Sequence, residues 1–436
     1  MYPVLDVLCQ GELVGNLSFR EPGTCDFSYN TEWAKTRFPI SPCIPLRGPV
    51  ESSTVIRFLK NLFPEGNAFD LLLKSESLSK NNLYAILRTI GKDTAGALSF
   101  VTDNSKKEAT YLRPITDKEL IEKLNTGSTR ELVTWDGKYR LSVAGIQNKL
   151  NVFLKDNEQI MLADGSYSST HILKFSSNEY KDIVINELVC MHFAKSIGIN
   201  CANVELKSFG DHIALLVERF DRKQFDGGVK KRHIIDSCQA LDLSPDSKYE
   251  RNFGSSRDVK DIREGVTLPK LFEFTKECSV PAMVTRDIID WTIFNLIIGN
   301  SDAHGKNISF FIEHNGISIT PFYDLVSITH EAKENNNLDT SLAMAVGDNF
   351  DIDNIKAYDL LCLAEEASIP TRLLKNKLQR ITTIARSKLH TLSFEQYELD
   401  EGNMALIESL KDEFLMRIKK LDEQSHLIDK VTKTAL

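Results

Sequence analysis

The run IGNSDAHGKNISFFIEHNGISITPFYDLVS, residues 298–327, decides how this chain folds. Before it, Ile288 to Ile298 is nearly all apolar and is bounded by Gly299, the mark of a buried helix and its stop. ISFFI (308–312) then has the composition of a strand, EHNG supplies an Asn-Gly turn, and ISIT (317–320) returns as its partner. Just beyond the second strand comes Asp324. A hairpin brings its two ends together, so Asp302 before it and Asp324 after it are expected at one place, with Asn307 at its entrance.

Two carboxylates and an amide have a chemical use there. Phosphoryl transfer to a hydroxyl needs one carboxylate to take the hydroxyl proton, and oxygen ligands to hold magnesium on the phosphates. The protein-kinase catalytic loop sets its base Asp five positions before a metal-binding Asn. Asp302 precedes Asn307 by the same step. Taken alone, NSDAHGKN is equally a polar turn, since Asn, Ser, Asp and Gly all favour turns. Order along the chain separates the two readings. THILK puts Lys174 on a predicted strand, suited to holding phosphates, and Glu187 lies at the start of the next predicted helix. SVAGIQNK carries a single glycine, so a phosphate-covering turn from Ser142 to Lys149 is a weak motif by itself.

The totals bound the function. At 436 residues the chain is long enough for two or three domains. With 53 basic and 61 acidic residues, net −8, a surface built mainly to wrap nucleic acid is disfavoured, and the short basic run VKKRH (229–233) reads as a solvated loop. The eight cysteines are scattered without a C-x-x-C pair, as in packed, reduced thiols. MYPVLDVLCQGELVG has no basic region followed by an apolar core, and no apolar run approaches the roughly 18 to 20 residues of a membrane span. A soluble cytoplasmic protein is expected.

Residues 1–104 read as a β-rich module. VLDVLCQGELVGNLSF alternates around a turn, STVIRFLKNLFPEG and NNLYAILRTIG read as helices, and GALSFV as a closing strand. TDNSKKEATYLRPITDKEL (102–120) is polar and reads as a connector. Residues 128–222 read as a small antiparallel sheet with one helix, DIVINELVCMHFAKSIG. Residues 223–436 are mostly helical, with helices expected at 282–299, 355–367, 371–391 and 404–429, and EAKENNNLDT (331–340) as a loop. The fold class is α+β: a kinase-like bilobal arrangement of a β-rich N-lobe and a helical C-lobe, preceded by the β-rich module.

LSVAGIQNK, STHILK, NELVCMHFAKSIG, LLVERFDR, CQALDLSPDSKYE, IGNSDAHGKNISFFI and ITPFYDLVS follow one another as in the HipA-family toxin kinases, and the N-terminal module resembles that family's N-terminal domain. The resemblance spans nearly the whole chain. It implies an ATP- and Mg2+-dependent serine/threonine kinase, the toxin of a type II toxin-antitoxin pair. Its partner would be a HipB-like helix-turn-helix antitoxin, through which operator DNA is met. The implied protein substrate is a translation component, an aminoacyl-tRNA synthetase such as the glutamate enzyme.

Carried onto this sequence, Asp302 is the general base, and Asn307 and Asp324 are magnesium ligands. Lys174 holds ATP phosphates, the backbone of Glu218 and Phe220 meets the adenine, and the turn Val143, Ala144, Gly145, Ile146, Gln147, Asn148 and Lys149 covers the phosphates. His304 and Lys306 match the catalytic loop, and Ser142 is the counterpart of the serine whose autophosphorylation switches the kinase off. The loop departs from the family form in one respect: Ala303 and Gly305 stand in exchanged order. Two competitors stay open here. One is an antitoxin-binding co-repressor with a vestigial kinase site, the other a small-molecule kinase of similar plan.

Overall fold

The computed structural model describes residues 2–20, 23–102, 110–140, 148–156, 159–165, 167–177, 179–225, 228–335 and 338–434. The chain divides into two compact units. The first comprises Met1–Ser177, Glu205–Pro245 and Ser309–Thr320, the second Asn178–Val204, Asp246–Ile308 and Pro321–Leu436.

The first unit is built on sheets. Val4–Cys9 and Glu12–Ser18 form the expected hairpin, turning through Gln10 and Gly11, whose φ of 55° and 82° match the twist of the strands they join. Asp26–Tyr29 and Leu98–Val101 complete a four-stranded sheet, which buries Leu5, Val7, Val14, Leu17 and Phe100. Helices Ser52–Lys60 and Leu83–Ile90 bury Val55, Phe58 and Leu59, and Ile86 and Leu87, as their spacing required.

A six-stranded sheet follows, in the order Val204–Phe209, His212–Glu218, His171–Phe175, Lys149–Lys155, Gln159–Asp164 and Tyr111–Pro114. Its last strand lies inside the stretch read as a connector. Helix Asp117–Asn125 begins in the same stretch, opened by a capping box in which the Thr116 side chain accepts from the Glu119 backbone and Glu119 accepts from the Thr116 N–H. Ile234–Asp236 adds to the hairpin Ser309–Glu313/Gly316–Ile319, the one foreseen between Asn307 and Asp324. The run VKKRH is not a loop: Gly228–Lys231 is a strand, and Arg232 pairs with Glu313 and lies over the Phe311 ring, 3.5 Å from its centroid.

Helices make the second unit. Ile183–Ser196, Pro281–Ile298, Thr371–Thr391 and Glu401–Thr434 pack around Phe193, which stacks on Phe414 (5.8 Å between ring centroids) and meets Phe294 at 5.5 Å. Helix Ile183–Ser196 and the second half of helix Pro281–Ile298 are buried on nearly every side. A short hairpin, Ser341–Val346 with Asn349–Asp351, stands in a stretch to which no element was assigned. Its strands are short and lie between helical runs, so the local pattern gave no period-2 signal long enough to separate from noise. Among the described residues no helix is long and apolar enough to cross a membrane, and the eight cysteines are free thiols.

Candidate active site

The loop at the end of helix Pro281–Ile298 is held from three sides within the second unit. Gly299 caps the helix at φ 71°, a conformation that disfavours any side chain. Asn300 then turns back, its N–H reaching the Asn295 carbonyl at 2.9 Å and its amide the Asn295 side chain at 2.8 Å. Ser301 O accepts from Ala343 N–H at 2.7 Å, which ties the loop to the unforeseen hairpin. Asp302 follows. It is half-buried while Ser301 and the run from Ala303 to Asn307 are buried, so its carboxylate is the accessible group of the loop.

Asp302 is oriented by a residue the sequence did not single out. The Tyr249 hydroxyl donates to Asp302 Oδ1 at 2.8 Å, and the same ring meets His304 edge-on at 5.3 Å. Lys248 O accepts from Gly305 N–H at 2.9 Å. Glu250, 1% exposed, is tied in turn to Ala345 N–H at 2.7 Å and to Arg263. These contacts make 248–250 a rigid rail beneath the loop. They also explain the exchange of Ala303 and Gly305: a Cβ at 305 would lie 2.5 Å from Val266 Cγ2, whereas position 303 accommodates its alanine.

Asn307 and Asp324 each follow one partner of a bond that joins the two arms of the hairpin. The Tyr323 hydroxyl donates to Lys306 O at 2.6 Å, bolting the arm that enters the hairpin to the arm that leaves it. Asn307 and Asp324 are the next residues along those arms. Asn307 Oδ1 accepts from His304 N–H at 3.1 Å, which fixes the amide's orientation. A carbonyl oxygen accepts two bonds, so the same atom can also take a cation. Asp324 sits at φ 53°, an uncommon conformation for a side-chain-bearing residue and one that clusters at functional sites. Beyond it, Asn186 clasps the chain: its amide donates to Ser327 O (2.9 Å) and Glu331 (2.8 Å) while its oxygen accepts from Ser327 N–H (2.9 Å). Burial pushes the Glu331 carboxyl up despite that donor. Glu187, adjacent to Asn186 and 1% exposed, lies a turn inside its helix rather than at the opening. Magnesium keeps only one or two protein oxygens beside substrate phosphates, and Asn307 with Asp324 is a donor set of that kind.

The first unit holds the other expected groups. Lys174 on His171–Phe175 and Lys149 on Lys149–Lys155 are register partners, 6% and 4% exposed. Directly opposed residues share a face. Both lysine side chains therefore lie on one face of the sheet. Asn148 accepts from Thr129 at 2.8 Å, and its carbonyl accepts from Phe175 N–H at 2.9 Å. Glu218 closes the strand His212–Glu218, and the Phe220 ring stands edge-on to Phe311 at 6.0 Å. Ser142 and Val143 to Gln147 lie outside the described residues.

A lysine-bearing antiparallel sheet, an ensuing buried helix with an internal acid, and an Asp-x4-Asn loop leading by a hairpin to a second Asp are, in this order, the parts of a protein-kinase-like fold. Comparison with known proteins agrees. Residues 5–101 match the HipA N-terminal domain model and residues 141–389 the HipA-like C-terminal domain model. The chain is 42% identical over 411 residues to the serine/threonine-protein kinase toxin HipA of Shewanella oneidensis, covering 94% of this chain and 93% of that one. It is 30% identical to the putative kinase Y4mE of Sinorhizobium fredii, covering 87% and 89%. A solved structure of Shewanella oneidensis HipA with HipB and its operator DNA superposes with a TM-score of 0.87 at 41% identity, covering 97% of this chain and 99% of that one. The chain belongs to the HipA family, and its enzymatic class is serine/threonine-protein kinase.

Proposed function

We propose that the chain is the kinase toxin of a toxin-antitoxin pair and that it transfers the γ-phosphoryl group of ATP to a serine or threonine of a translation component. The observation that supports the site assignment is the Tyr323–Lys306 bond, which ties together the two arms of the hairpin on which Asn307 and Asp324 are the next residues. Asp302 takes the hydroxyl proton as the substrate oxygen bonds to the γ-phosphorus, and the bond to the β,γ-bridging oxygen breaks to release ADP. Tyr249 holds one oxygen of that carboxylate, which leaves the other to face the hydroxyl. Lys149 and Lys174 neutralise the phosphates, and the backbone at Glu218 and Phe220 receives the adenine. Magnesium, held by Asn307 and Asp324, would neutralise charge developing on the phosphates. Ser142, phosphorylated by the enzyme itself, would withdraw the Val143–Lys149 turn and stop the reaction.

The relative of solved structure is complexed with HipB and operator DNA. A helix-turn-helix antitoxin is the corresponding partner here, and operator DNA is met mainly through it. An aminoacyl-tRNA synthetase such as glutamate-tRNA ligase is the proposed substrate, in the cytoplasm. Incubating the purified chain with ATP and cell lysate, then locating new phosphate by mass spectrometry, tests the reading. One translation protein and Ser142 should gain phosphate. A lysate in which no protein gains phosphate, with an antitoxin still bound, would favour the co-repressor alternative instead.

A further inference from the structure

Adenine is taken, in the reading above, by backbone groups on either side of Arg219, and Arg219 itself points elsewhere. Its N–H bonds Thr170 O at 2.9 Å, while its side chain, 3% exposed, runs into a buried ionic cluster. Arg219 makes a forked contact with Asp221 (3.0 and 2.9 Å) and reaches Ser169 Oγ at 2.9 Å. Arg222, its side chain fully buried, binds Asp221 at 2.7 Å. The remaining contacts come from the N-terminal module. Asp93 accepts from Arg222 at 3.0 Å and from the Ser169 hydroxyl and N–H at 2.6 and 3.0 Å. Thr94 O accepts from both arginines at 3.1 and 2.7 Å. Gly96, at φ 78°, gives its N–H to Asp221 and its carbonyl to Arg222, both at 2.8 Å. Two carboxylates face two guanidiniums, and the Lys231 ammonium stands near enough to lower Asp93 as well. Burial alone would raise Asp93 and Asp221, but the arginines outweigh it and hold both carboxyls below the ordinary range.

We infer that residues 93–96 of the N-terminal module are positioning residues of the nucleotide site, holding the Glu218–Phe220 backbone in place for adenine through the Asp93–Arg219–Asp221–Arg222 cluster. This rests on the reading that the adenine meets Glu218 and Phe220. Backbone recognition has no side chain to readjust, so the anchor of Arg219 sets where those groups stand. Removing the Asp93 charge leaves two buried guanidiniums and the nearby Lys231 ammonium facing one carboxylate, and the segment must shift to solvate the excess. The N-terminal domain is then part of the kinase rather than an accessory to it.

The test uses the full-length chain with magnesium and two probes in titration calorimetry: a non-hydrolysable ATP analogue and inorganic tripolyphosphate. Asp93→Asn should weaken the analogue about tenfold and leave tripolyphosphate affinity unchanged, because only the adenine end is displaced. Ser169→Ala, which keeps the charge balance, should weaken the analogue about threefold and covers the case in which Asp93→Asn does not fold. A merely structural role would lower the number of sites and leave both dissociation constants alone, and that result overturns the proposal. Equal weakening of both probes also overturns it. Phe220→Pro, which removes the backbone N–H at that position, is the control for the underlying reading. If it weakens the analogue and Asp93→Asn does not, the proposal alone falls. If Phe220→Pro changes nothing in the folded protein, the adenine assignment falls and takes the proposal with it.

Discussion

At the scale of residues, Tyr249 matters most among those the sequence left unassigned. A hydrogen bond to a carboxylate is worth about 1.5–3 kcal/mol, and here it decides which Asp302 oxygen is left for the substrate. Tyr249→Phe should lower kcat about tenfold with nucleotide affinity unchanged, and it should add little to Asp302→Asn, because the two act as one unit. Steady-state kinetics of the single and double variants check this. The bond spans 53 positions, and no spacing rule announces such a pair. The motif CQALDLSPDSKYE was visible as a block while the role of its tyrosine was not. The loop and hairpin that carry Asp302, Asn307 and Asp324 were legible because turn and hairpin chemistry are local signals.

His233 gives a second residue-scale prediction. Its Nε2–H donates to Ile40 O at 2.7 Å, and burial pushes its pKa from 6.5 down to about 4, so it stays neutral in the fold. Between those values the unfolded chain binds the extra proton, so stability is lost as pH falls from 6.5 towards 4. The loss is on the order of 3 kcal/mol. Denaturant unfolding at pH 7 and pH 4.5 should show it, and His233→Gln, which keeps a donor but does not titrate, should flatten that part of the profile.

At the scale of elements, the helix Pro281–Ile298 and its stop do the most to place the site. A Cβ at Gly299 would lie 2.1 Å from Thr329 Oγ1 and 3.0 Å from Arg417 Nε, at a φ already unfavourable for side chains. Gly299→Ala should therefore cost about 2 kcal/mol or more, seen as a lower midpoint in thermal unfolding, with phosphoryl transfer reduced in the folded fraction. This helix, its glycine and the hairpin after it were readable because apolar runs and Asn-Gly turns are local signals. The strand Tyr111–Pro114 was not, since it is four residues long and owes its place to Gln159–Asp164, far along the chain. Helix Asp117–Asn125 was within reach: Thr116-x-x-Glu119 is a capping box in plain sequence, hidden by the polarity around it.

At the scale of the whole molecule, each compact unit carries its own share of the chemistry. The sheet unit holds the opposed lysines and the strand proposed to receive adenine; the helical unit holds the proposed base and the proposed metal oxygens. Family membership follows from matches along most of the chain and agrees with this division of labour. The measurement that tests the central claim most directly is the rate at which purified wild-type and Asp302→Asn chains transfer the γ-phosphoryl of ATP to protein in a nucleotide-depleted lysate, at matched nucleotide-binding stoichiometry. The account predicts a fall of about 10² to 10⁴ for the variant. Transfer by Asp302→Asn at the wild-type rate would contradict it.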